Sequence, residues 1–87
     1  MVTYTFYNDP GHAWLKVSLK DLQALGLTGK ISHCSYLSGN KVYLEEDCDA
    51  PVFVQAAKAA GWAFTLKESF TNQDSFIRRL PSYQEVK

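Results

Sequence analysis

Apolar and polar residues alternate cleanly from the start of the chain. In TYTFY, residues 3–7, Tyr4 and Phe6 fall on one side and Thr3, Thr5 and Tyr7 on the other. That period of two predicts a strand. NDPG follows, where Asp9 before Pro10 starts a turn and Gly11 tolerates positive φ. HAWLKV resumes the same period, with Ala13, Leu15 and Val17 on one face and Trp14 and Lys16 on the other, so a hairpin is expected. ISHCSYL and KVYLEE flank SGN and predict a second hairpin about Gly39-Asn40, with Val42 and Leu44 inward and Tyr43 and Glu45 opposite. WAFTLKE alternates once more and groups Trp62, Phe64 and Leu66.

The period changes in two places. After Ser18, whose hydroxyl can cap the Asp21 N–H, Leu19, Leu22 and Leu25 share a helical face that Gly26 ends. APVFVQAAKAAG predicts a second helix, with Asp47 or Asp49 as N-cap, Pro51 in the first turn and Gly61 as the stop. Its core face is Phe53, Ala56, Ala57 and Ala60. The order β-β-α-β-β-α-β predicts a two-layer α+β fold, a mostly antiparallel sheet with two short helices packed on one face. Residues 1–87 form a single domain with its core at about 3–67. Residues 68–87 carry no sustained period, yet Phe70, Phe76, Ile77, Leu80 and Tyr83 are expected to hold this irregular segment partly against the core.

Charge removes several function classes. Nine basic residues balance nine acidic ones, which argues against a nucleic-acid binder driven by a global positive field and against an acidic DNA mimic. No apolar run approaches a membrane span, and Met1 leads into the first strand without a secretory leader, so a cytoplasmic protein is expected. Cys34 and Cys48 suit a reducing compartment, where a bridge between them is not expected.

The densest cluster of chemistry is EEDCD, residues 45–49. Acids here are expected to cap the helix that follows, and their surplus makes an acidic patch for a partner. Spaced calcium ligands with a central glycine are absent, and His12, His33, Cys34 and Cys48 lack zinc-ligand spacing, so no metal or cofactor is expected. Cys48 at a helix start would favour a thiolate, but nothing in the spacing brings His12 or His33 beside it. The expectation is a small hydrophobe tucked inward. Tyr7, Trp14, Tyr36 and Tyr43 lie on the sheet face away from the helices and are expected to meet solvent. Arg78 and Arg79 in FIRRLP form the one adjacent basic pair.

DPGHAWLKV (9–17), SYLSGNKV (35–42), YLEEDCD (43–49) and DSFIRR (74–79) together resemble small proteins encoded on phages, plasmids and other mobile elements. Those carry a GHGWLxV-like start and a YLEEDCD middle. The resemblance spans residues 4–80 and departs at Ala13, where glycine is usual. It implies a mobile-element setting and no particular reaction. The expectation is a non-enzymatic protein-binding module, a stoichiometric inhibitor of a host defence complex such as CRISPR or restriction machinery. Glu45, Glu46, Asp47, Asp49, Arg78 and Arg79 are its expected polar contacts, Trp14 and Tyr43 its aromatic ones. Self-association through the sheet or its edge is a further expectation. The alternatives are a single-stranded nucleic-acid binder using the aromatic face and a cysteine-dependent enzyme uniting His12, Cys48 and a carboxylate.

Overall fold

A computed structural model describes residues 2–84. Strands β1 (Val2–Asn8) and β2 (Ala13–Ser18) pair antiparallel around the Asp9-Pro10-Gly11 turn. Helix α1 (Leu19–Ala24) begins at once, and the Ser18 hydroxyl accepts the Asp21 N–H at 3.0 Å, the expected cap. Strands β3 (Tyr36–Ser38) and β4 (Lys41–Glu45) form the second hairpin. Helix α2 (Ala50–Ala59) leads to β5 (Phe64–Phe70), and a 3-10 helix covers Phe76–Arg79. Gly26 and Gly61, at φ +68 and +79, sit just past the ends of the two α-helices, a conformation that favours glycine.

The fold is α+β. Its single sheet has the order β3-β4-β2-β1-β5, antiparallel throughout except for the parallel β1–β5 pair. These directions make β4 and β5 run the same way. Helix α2 is therefore a crossover that carries the chain past β2 and β1 to the far edge.

Both helices pack on one face, as the patterning requires. Leu15 and Val17 of β2 and Val42 and Leu44 of β4 meet Leu22 of α1 and Phe53 and Ala57 of α2. Each fully buried leucine among them contributes roughly 1.5–3 kcal/mol of transfer free energy. Tyr4 sets its ring edge-on to Phe53 at 5.2 Å and donates its hydroxyl to Asp21 at 2.7 Å. Burial, and then the Asp21 carboxylate, push this phenol well above its ordinary range.

The second sheet face departs from expectation. It is covered. Trp14 is 2% exposed and Tyr43 6%, beneath Ile77 of the 3-10 helix, with Tyr7, Tyr36 and Leu80 packed around them. Tyr7, Tyr43 and Phe76 meet edge-on at 5.7–6.0 Å between ring centres. Burial also raises the Tyr43 phenol above its ordinary value. The segment expected to be irregular from residue 68 instead continues β5 to Phe70 and then roofs this aromatic layer. Its last part, 85–87, lies outside the described residues.

Two local expectations also change. Residues 32–35, expected in a strand, form a turn-bearing loop, so β3 is only three residues long. Asp49 occupies the N-cap position of α2 but makes no side-chain cap bond. Both changes have one cause, the destination of the Asp49 carboxylate.

Candidate functional site

The acidic turn divides into two structural acids and two free ones. Asp49 is 3% exposed, and its carboxylate points under the loop before β3. It accepts the Ser32 N–H at 3.1 Å, the Ser32 hydroxyl at 2.8 Å and the Ser35 hydroxyl. The fully buried Ser35 hydroxyl in turn accepts the Glu45 N–H at 3.0 Å, tying the loop to the end of β4. A backbone N–H spent on a carboxylate is lost to a ladder, which is why ISHC is not a strand. Glu45 turns its carboxylate back onto its own turn and accepts the N–H groups of Asp47 at 3.0 Å and Cys48 at 2.9 Å. The acid that satisfies these amides is thus Glu45, two residues before Asp47 and four before Asp49, the two expected caps. Glu46 and Asp47 remain exposed.

Arg78 is not a free contact either. Its guanidinium forks onto Asp9, Nε to Oδ2 at 2.6 Å and an Nη to Oδ1 at 2.9 Å, and it lies 5.4 Å above the Trp14 ring. The Asp9 side chain is fully buried and also accepts N–H groups of Gly11, His12 and Ser75 at 2.9–3.0 Å. Arg78 first, and these amides after it, hold the Asp9 carboxyl well below the usual carboxylate range. Gly11 is required by this approach: a Cβ there would stand 2.9 Å from the Arg78 guanidinium. Together these groups latch the C-terminal segment onto the β1–β2 turn. Arg79 is exposed.

Of the eight expected contact residues, Glu46, Asp47 and Arg79 face solvent. Trp14, Tyr43 and Asp49 are buried, which corrects the expectation that they meet a partner directly. Glu45 and Arg78 are largely engaged within the chain. The open aromatic face needed for stacking single-stranded nucleic acid is absent among the described residues.

His12, Trp14, Cys34, Glu45, Cys48 and Arg78 do line one open depression of about 420 Å³. The assembly that a cysteine nucleophile would need is therefore present in outline. Its electrostatics are wrong for that chemistry. Cys48 is exposed, not tucked inward, and the Glu45 carboxylate pushes its thiol up to about 11. His12 lies 3.9 Å from the same carboxylate. Alkylation of Cys48 by iodoacetamide is accordingly expected to be slower at pH 7 than for a free thiol, and to rise about tenfold per pH unit toward pH 11. Reaction at the rate of a low-pKa thiol would contradict this arrangement. Among the described residues no group of three or more His, Cys, Asp and Glu side chains is set to hold a metal ion.

A second region was missed by sequence reasoning. The two sheet edges differ. At β3 the C-terminal segment closes the edge: Leu37 N–H donates to the Pro81 carbonyl at 2.9 Å, Tyr83 N–H to the Ser35 carbonyl at 2.7 Å, and Tyr36 pairs with Ser82. At the other edge, β5 pairs only with β1 among the described residues, and six of its seven residues are exposed. Leu66 is 44% exposed and Phe70 73%, with Phe76 (46%) across a cavity of about 240 Å³ at the end of the strand. The signal was partial: Phe70 keeps the parity of Phe64 and Leu66, but Glu68 interrupts the apolar positions between them.

Comparison with protein-family models, curated proteins and solved structures finds no match for this chain. Among the described residues no helix is long and apolar enough to cross a membrane.

Proposed function

We propose that this protein is a non-enzymatic protein-binding module that receives an extended segment of its partner along β5. The contrast between the two sheet edges carries this reading. One edge is closed by the chain's own C-terminal segment, while the other offers seven residues of strand beside Leu66, Phe70 and Phe76. An added strand gains main-chain hydrogen bonds, and exposed apolar side chains supply specificity. Lys67 and Glu68 at the middle of β5 disfavour indiscriminate edge pairing and set a charge register for one partner strand. The sequence resemblance to mobile-element proteins gives the class of partner: a component of a host defence complex in the cytoplasm, CRISPR or restriction machinery, held stoichiometrically. Glu46, Asp47 and Arg79 are the remaining polar candidates. The acidic turn follows β4, three strands from β5 or roughly 14 Å in the sheet.

The test is parallel capture from host extract with the natural chain, a Leu66→Lys/Phe70→Lys double variant and a Glu46→Gln/Asp47→Asn double variant. A host nuclease or surveillance subunit retained by the natural chain and lost, by tenfold or more, only from the β5 variant supports the edge. Equal retention by the β5 variant, with its melting temperature unchanged, overturns it. A sedimentation shift to a dimer that the β5 variant abolishes would make a second copy of the chain the occupant instead.

A further inference from the structure

The depression beside the acidic turn holds both cysteines of the chain, and neither is used by the binding reading. Their juxtaposition is built by other residues. Asp49 binds Ser32 and Ser35, which bracket Cys34, while Cys48 immediately precedes Asp49. The bonds that fasten residues 32 and 35 to residue 49 therefore set residue 34 beside residue 48. Ser35 adds a second tie through the Glu45 N–H. The Cys48 thiol feels first the Glu45 carboxylate and then the Cys34 thiol, both of which line the same depression. Both thiols are exposed, so a small oxidant reaches them without any opening of the fold.

We propose that Cys34 and Cys48 are a redox modification site, closing to an intramolecular disulfide that fastens the loop before β3 to the turn before α2. The electron acceptor is a low-molecular-weight disulfide such as oxidised glutathione. The Cys34 thiolate attacks one sulfur of that disulfide and releases the first small thiolate, leaving a mixed disulfide on Cys34. Deprotonated Cys48 then attacks the Cys34 sulfur, the mixed S–S bond breaks, and the second small thiolate departs. Two cysteine thiols thus lose two electrons and two protons, and one small disulfide becomes two thiols.

The charged and titratable groups lining the site beside the two cysteines are Glu45, Asp47, Arg78, His12 and Tyr36. Glu45 keeps Cys48 protonated, so the second step is the slow one at neutral pH and accelerates as pH rises.

The experiment is incubation of the purified full chain in buffers of reduced and oxidised glutathione from pH 7 to pH 10, with acid quenching and peptide mass spectrometry. The expected product is a Cys34–Cys48 cross-linked peptide with two hydrogens lost. It forms faster as pH rises and lifts the melting temperature by roughly 10 °C. Cys34→Ser is expected to yield only a glutathione adduct on Cys48. Stable adducts on both cysteines of the natural chain, or cross-links only between chains, would overturn the proposal. Because this readout needs no partner, it stands or fails separately from the β5 capture.

Discussion

Replacing Arg78 by alanine is expected to lower the melting temperature by on the order of 10 °C and to uncover Trp14. The reason lies beneath the guanidinium. Asp9 presents both carboxylate oxygens to a site shut off from water, and among the described residues Arg78 is the cation bonded to it. The Gly11, His12 and Ser75 N–H groups remain after the substitution, but dipoles alone leave the charge uncompensated. The variant relieves this by protonating Asp9 or by hydrating it, and hydration lifts the 3-10 helix from the sheet. In a Trp62→Phe background, Trp14 emission should move to the red with the loss of its cover.

The same latch fixes the acid response. Asp9 has a lower pKa folded than unfolded, so its contribution is complete above its ordinary value near ~4. That contribution is lost as pH falls below this value toward the depressed folded one. The natural chain should therefore lose stability below about pH 4, and Asp9→Asn should flatten that limb. Identical melting curves and emission maxima for Arg78→Ala and the natural chain would leave no case for a latch.

The second large effect is expected at Asp49. Truncation to alanine strands the Ser32 N–H and the buried Ser35 hydroxyl at once, because both donate to its carboxylate. Each unsatisfied buried group costs about 1–3 kcal/mol, so a loss on the order of 3 kcal/mol is expected in urea titrations. That is a large part of the total stability of so small a domain. Glu46→Gln and Asp47→Asn, a few residues away and exposed, should each stay within about 0.5 kcal/mol. Equal effects across these three positions would refute the division of the acidic turn into structural and free acids.

These two sites also mark where the sequence stops being readable. What is local could be read. The Ser18 cap, the Gly26 and Gly61 stops and the inward faces of 13–17 and 42–44 depend on neighbours within one element, and the grouping of Trp14 with Tyr7, Tyr36 and Tyr43 needs only strand alternation and pairing of the strands that carry them. The failures depend on partners distant in sequence. Asp49 reaches Ser32 and Ser35 across 17 and 14 positions, and that reach turned an expected strand into a loop and an expected cap into a buried anchor. Asp9 and Arg78 are 69 positions apart, and nothing in DPG or FIRRLP alone announces that they meet. Their meeting decides that the aromatic face is roofed. The open β5 edge falls between these cases. Its alternation was visible in part, but its parallel pairing with β1 follows only from the path of α2 over the sheet.

The roof over the aromatic face has a consequence for how the protein is made. Trp14 and Tyr43 are synthesised well before Ile77, which shields them, and Asp9 leaves the ribosome before Arg78 exists to neutralise it. At about 5–20 residues per second, translation separates Tyr43 from Ile77 by roughly 2–7 s. Until Ile77 has been made and has docked, Trp14 and Tyr43 lack its cover. That is the stage at which this protein most needs a chaperone or a swift finish to its synthesis.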